Sequence, residues 1–219
     1  MQQSFDLFFV SSNRHKYQEA KKILDFFGIK LGFFKFDLEE IQSNSLKDIA
    51  SKKAKDAFSK CRKPVIVEDD GLFINSLDGF PGPYSSYVLK TIGNTGILNL
   101  LKNNRKAKFV SIISYCDKKI LQSFDAKLDG TISHLQKGKG WGYDPIFIPK
   151  NTRKTFAEMN NKNELSHRYK ALKKFSNWYL HRQEYNDQLI VHYSVKLKFL
   201  KQNFHPLLKI SYFVLQPVH

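Results

Sequence analysis

The stretch Pro64–Tyr87 (PVIVEDDGLFINSLDGFPGPYSSY) constrains this chain more than any other. Val65-Ile66-Val67 is a β-branched apolar run, short enough to be a buried central strand. It ends directly in three consecutive acids, Glu68, Asp69 and Asp70, and then Gly71. Carboxylates at the end of a buried strand repel one another and lose hydration. They persist most easily where a cation or a donor-rich ligand sits against them. Magnesium favours such oxygen donors and shares them with substrate phosphates. Further on, Gly79-Phe80-Pro81-Gly82-Pro83 is a rigid turn whose glycines permit close backbone approach, and Ser85-Ser86 marks a helix start. On these residues alone, a solvated acidic turn fits equally well.

The rest of the chain alternates strand and helix patterns. Asp6–Ser11 reads as a first buried strand. The helix after it carries Tyr17, Ala20, Ile23, Leu24 and Phe27 at helical spacing, with Ser12 or Asn13 as N-cap and Gly28 as its stop. Ile29–Phe36 reads as a second strand and Leu46–Lys60 as a helix. Two short helices are expected near Ser85–Ile92 and Thr95–Leu101. Lys108–Asp117 and Ile120–Ser133 form an antiparallel hairpin about Asp117-Lys118-Lys119. A glycine-rich loop, Gly138–Pro145, feeds a short strand at Ile146–Ile148, and a last helix runs from Ser166 to about His181. Beyond it the apolar period loosens. Val191–Leu215 fits an added hairpin or helix, a docking segment or a tail, so residues 1–182 are taken as one domain and 183–219 as an extension.

Four further clusters carry chemistry. Ser11-x-Asn13-x-x-Lys16 lies between a strand and a helix N-terminus, where free N–H groups and the dipole attract phosphate. It lacks the glycines of a Walker loop, and an ordinary N-cap followed by a solvent lysine would look the same. Glu39-Glu40 follows the second strand and reaches a metal shared with Asp69 if the two strands are neighbours. Trp141-Gly142-Tyr143-Asp144 sets two aromatics suited to stacking on a base beside an acid that accepts from ring N–H groups. Ser166-His167-Arg168, with Lys162 just upstream, is an oriented donor cluster suited to a carbonyl-rich anion.

Together these pieces resemble the inosine/xanthosine triphosphate pyrophosphatase family. The matching stretches are SSNRHK (Ser11–Lys16), EIQ (Glu40–Gln42), Glu68–Ser86, GWGYDPIF (Gly140–Phe147) and Thr155–Leu172, in the family's order. The resemblance implies an elongated, two-lobed α/β structure, with a long twisted mixed sheet flanked by helices around a central cleft, usually a homodimer. It implies that Ser11, Ser12, Asn13, Arg14, His15 and Lys16 hold the triphosphate, with Asp70 beside it. Glu40 and Asp69 would hold Mg2+, with Asp69 also the base, assisted by Glu68. Trp141, Gly142, Tyr143, Asp144, Lys162, Ser166, His167 and Arg168 would line the nucleoside pocket. Three positions depart from the family pattern: Asp70 replaces a usual Ser or Thr, Trp141 a usual Phe, and Tyr169 a small residue that would otherwise widen the pocket mouth.

The expected reaction is hydrolysis of ITP, dITP and XTP to the monophosphate and pyrophosphate. A net charge of +16 suggests a polyanionic partner without saying which. A basic nucleotide- or nucleic-acid-binding module explains the charge and the aromatics, yet leaves four acids without a purpose. A related pyrophosphatase for other modified nucleotides is the enzymatic alternative. The small-molecule reading involves neither nucleic acid nor membrane: no apolar run is long enough to span a bilayer, no secretory leader precedes Asp6, and two cysteines, Cys61 and Cys116, give no disulfide framework. A cytoplasmic location follows as the expectation.

Overall fold

The structure is a computed structural model that describes residues 4–203, with side chains described to residue 194. Seven strands form one mixed sheet, in the order β2-β1-β3-β5-β6-β7 with β4 on the side of β3. β1 (Leu7–Ser11) runs parallel to both β2 (Leu31–Lys35) and β3 (Val65–Ile74). β5 (Lys106–Cys116), β6 (Leu121–Ile132) and β7 (Phe147–Pro149) extend the sheet antiparallel from β3. The expected β5–β6 hairpin is present, with Cys116 opposite Leu121.

α1 (Arg14–Phe26) joins β1 to β2, and α2 (Leu46–Cys61) joins β2 to β3. Asn13 caps α1, and Gly28, at φ +75°, follows its end as the sequence suggested. α2 is capped by Ser45 and buries Leu46, Ile49, Ala50, Ala54 and Ala57. α3 (Ser85–Thr91) and α4 (Gly93–Leu100) follow β4 (Pro81–Gly82). α5 (Lys162–Leu165) is a single turn before α6 (His167–Asn203). One apolar cluster gathers Leu72, Ile97, Phe109, Phe147 and Phe156, and a second gathers Val10, Ala54, Val65 and Val67.

Two expectations about element ends are corrected. The acids do not terminate β3. The strand runs through them for ten residues, and each faces a β5 residue: Glu68 with Ile113, Asp69 with Ile112 and Asp70 with Ser111. The backbone ladder continues because the side chains find cations, as shown below. Gly71 is required there, because a Cβ would come within 2.5 Å of the Gly82 carbonyl oxygen on β4. The last helix likewise passes His181 and continues to Asn203. No glycine or proline interrupts Ser166–His205, and loss of apolar period ends burial rather than helicity.

Chain contacts divide the molecule after Asn177. The first unit carries the sheet. Of the second, the described part is helical, and from Gln183 to Ser194 nearly every residue is exposed, including Tyr185, Ile190, Val191 and Tyr193. The expectation for Val191–Leu215 falls beyond Asn203 outside the described residues. Among the described residues, no helix is long and apolar enough to cross a membrane.

Candidate active site

β1 pairs with β3 only at Phe8–Val65 and Phe9–Ile66, yet β1 runs on to Ser11 and β3 to Ile74. The chain leaves β1 toward β2 on one side and returns to β3 on the other. Such a reversal opens a crevice beyond the carboxyl ends of the strands. Here it is a cavity of about 260 Å³.

At one wall lies the turn from β1 into α1. Ser11 Oγ accepts from the Asn13 N–H at 3.0 Å, and Asn13 Oδ1 accepts from the N–H groups of His15 (3.0 Å) and Lys16 (3.3 Å). Ser11, Ser12, Asn13 and Lys16 line the cavity, whereas Arg14 and His15 do not. Both of these are exposed, and the His15 ring stacks on Trp141 with centroids 5.8 Å apart.

The acids of β3 divide by strand alternation. Glu68 is buried: its Oε1 accepts from Ser111 Oγ at 2.8 Å and its Oε2 from Arg168 Nε at 2.6 Å. With both oxygens engaged, it anchors Arg168 and has no free oxygen with which to assist a base. Asp70, two residues on, takes Lys16 Nζ at 2.6 Å and Arg168 Nη2 at 2.8 Å. Burial opposes its ionisation, but Lys16, His167 and Arg168 together hold its carboxyl well below the usual range. Asp69 faces Lys53 of α2, whose Nζ lies 2.9 Å from Oδ1. Its Oδ2 is buried without a hydrogen-bond partner among the described residues, and burial pushes the carboxyl up.

Glu40 lies in the loop after β2, and β2 is not a neighbour of β3, since β1 lies between. Lys53 nonetheless links the two acids, donating also to Glu40 Oε1 at 2.5 Å. Lys53 escaped the sequence reading. Its signal was a charged residue at a buried-face position between Ala50 and Ala54, where lysine is tolerated only if paired.

The wall expected to face a base is more tied together than the sequence suggested. Lys162 Nζ donates to Asp144 Oδ2 at 2.7 Å and to Glu19 Oε1 at 2.9 Å, and Trp141 Nε1 donates to the same Glu19 oxygen at 2.9 Å. Arg168 Nη1 donates to the other Glu19 oxygen. Burial would raise the Glu19 carboxyl, but Arg168 and Lys162 bring it down to about 2. Glu19, one turn beyond Lys16 on the same helix face, was the second functional residue missed. The Lys162 and Arg168 cations both lie over the Trp141 ring, at 5.1 and 5.4 Å.

Three details differ from the sequence expectation. Tyr143 is not an exposed stacking aromatic: it is 5% exposed, packs near Phe109 and donates to the Ser85 carbonyl at 2.8 Å. It still contributes to the cavity wall, as do Gly142 and Asp144. Ser166 is fully buried and does not line the cavity; its Oγ accepts from the Tyr169 N–H at 3.0 Å and caps α6. Tyr169 itself lies away from the cavity lining. His167 is buried with its ring 4.4 Å from that of Phe109, and burial lowers its pKa.

Among the described residues lining the cavity, five lysine or arginine cations meet six acids. The cleft of a strongly basic chain therefore has no cationic surplus of its own to offer a polyphosphate. No three His, Cys, Asp or Glu side chains cluster among the described residues as a ready metal cage. Magnesium does not require one, since it commonly takes one or two carboxylates together with phosphate oxygens and water. The buried, unpartnered Asp69 Oδ2 and the exposed Glu40 suit that demand.

The model of the Ham1 family matches residues 7–178. A dITP/XTP pyrophosphatase of Methanopyrus kandleri is 48% identical over 177 residues, covering 78% of this chain and 94% of its own. Among solved structures, a HAM1 protein from Coxiella burnetii superposes with a TM-score of 0.70 at 25% identity, over 81% of this chain and all of that one. The Ham1 protein of Staphylococcus aureus gives 0.67 at 27% identity, over 80% of this chain and 99% of its own.

Proposed function

The chain belongs to the Ham1 family, and from that premise we propose that it hydrolyses ITP, dITP and XTP to the nucleoside monophosphate and pyrophosphate, clearing non-standard purines from the nucleotide pool. The observation that carries the reading is the pairing of a phosphate-type turn with Asp69 across the splayed ends of β1 and β3. The turn offers Lys16 and the N-terminus of α1, and Asp69 offers a buried oxygen with no hydrogen-bond partner among the described residues.

In this mechanism the Asp69 carboxylate accepts the proton of the water that attacks the α-phosphorus in line. Its raised pKa makes it a better proton acceptor than an exposed aspartate. Lys16 and the α1 N–H groups offset charge on the departing pyrophosphate. Lys53 keeps the buried Asp69 carboxylate ionised and oriented. Trp141 offers a stacking face at the base end, while Lys162, His167 and Arg168 supply donors for oxo groups. Glu19 and Glu68 hold Arg168 in place. Magnesium, held by Glu40 and Asp69, supplies electrostatic shielding of the phosphates when bound. The active form is proposed to be a homodimer in the cytoplasm.

The test is pyrophosphate release from a panel of nucleoside triphosphates, with and without magnesium, on protein sized by chromatography. Magnesium-dependent release from ITP, dITP and XTP supports the reading. Nucleotide binding with no release from any member of the panel would overturn it in favour of a binding module.

A further inference from the structure

Asp70 stands between Lys16, the cation of the turn before α1, and Arg168. One carboxylate oxygen lies 2.6 Å from Lys16 Nζ and the other 2.8 Å from Arg168 Nη2. An ammonium so placed can equally bind a phosphate oxygen. Arg168 does not need this third acid, since Glu68 and Glu19 already hold its Nε and Nη1. Lys16 is different: among the described residues Asp70 is its one ion-pair partner. Both members are mostly buried, with side chains 16% and 19% exposed, so water screens the pair poorly.

The position makes this arrangement a choice rather than a necessity of the fold. Asp70 faces Ser111 across the ladder, and a neutral Ser or Thr would satisfy the strand equally well. The acid adds a negative charge to a cavity already without cationic surplus. We propose that Asp70 is an internal counter-anion that competes with phosphate oxygens for Lys16, and thereby weakens the hold of the site on free pyrophosphate. It rests on the pyrophosphatase reading for its purpose, which is release of product. A triphosphate meets the same competition but is also held at the base end by Trp141 and its neighbours. Pyrophosphate has only the phosphate end.

Calorimetric titration of pyrophosphate into the folded protein, with magnesium fixed, reads this without turnover. Asp70→Ser and Asp70→Asn are expected to bind pyrophosphate about tenfold more tightly than the parent, while Asp70→Glu restores weak binding. In a Lys16→Met background the Asp70→Asn change should have little effect, because the competition passes through Lys16. A change below threefold in a folded Asp70→Asn protein, or an equal tightening with and without Lys16, overturns the inference. Its failure is distinct from failure of the activity. A parent that releases no pyrophosphate from ITP refutes the pyrophosphatase reading and leaves the calorimetric result to decide the anion competition alone.

Discussion

Lys53 Nζ lies 2.9 Å from Asp69 Oδ1 while Oδ2 of the same carboxylate has no partner among the described residues. One oxygen is thus fixed by the protein and the other is left for chemistry. A folded Asp69→Asn protein keeps nearly the same shape but loses a charged acceptor. Its kcat on ITP is expected to fall by about 10²-fold or more, the usual cost of losing a general base. Turnover near that of the parent would remove Asp69 from the mechanism.

Lys53 also competes with any divalent cation for Asp69 and Glu40. Lys53→Met should therefore lower kcat, by loosening Asp69, and yet lower the magnesium concentration that gives half-maximal rate. A unit charge a few ångströms away at a partly buried site makes a shift of about tenfold reasonable. Magnesium titrations that coincide for the two proteins would show that the metal and Lys53 occupy separate places.

Much of this was legible in the residues, for identifiable reasons. Strand and helix alternation gave the elements of the sheet, and the spacing of Ser11, Asn13 and Lys16 located the turn before α1 because capping chemistry is local. What escaped depended on contacts between distant segments. Lys53 looked like one more lysine on a basic helix until the fold set it against Asp69. Glu19 was hidden among surface-type charges until Trp141, Lys162 and Arg168 converged on it from more than a hundred residues away. The β3 boundary was misplaced because adjacent acids argue against a strand unless their cations are known. The end of α6 was misplaced because fading amphipathicity was taken as the end of the helix.

Glu19 offers a test through stability. Its carboxyl is held at about 2 in the folded protein against an ordinary 4.5. A depressed carboxylate stabilises the fold above its unfolded value and loses that contribution as pH falls toward its folded one. The benefit is therefore complete above about pH 4.5 and declines toward pH 2, with an upper bound of about 3 kcal/mol for such a shift. Urea unfolding should show Glu19→Gln less stable than the parent at pH 7, with the gap narrowing at pH 2.5. A gap that is the same at both pH values would mean that the glutamate contributes by packing rather than by charge.

Base selectivity follows from hydrogen-bond polarity at the start of α6. The first N–H groups of a helix have no partner within it, and His167 and Arg168 occupy that first turn beside the cavity. The Arg168 guanidinium spends three donors on Glu19, Glu68 and Asp70, which leaves two of its five N–H groups for a ligand. Hypoxanthine and xanthine present a 6-oxo acceptor to such donors, whereas adenine presents an amino group. Leaving buried donors unpaired costs roughly 1–3 kcal/mol each, and a site built on polar partners can reject the wrong analogue by about 10⁴-fold. Guanine shares the 6-oxo group and must be refused at position 2; in the proposed pose Lys162, a donor held by Asp144, faces that position and offers no acceptor. Arg168→Ala would take the one shared cation from three acids and risk the fold, so Arg168→Lys is the informative change: it keeps the charge but loses the planar fork. The parent should favour ITP and XTP far above ATP and GTP in kcat/KM, and Arg168→Lys should lower kcat/KM for ITP at least tenfold while narrowing the ITP to ATP ratio. Equal kcat/KM for ATP and ITP in the parent would refute this account of selectivity.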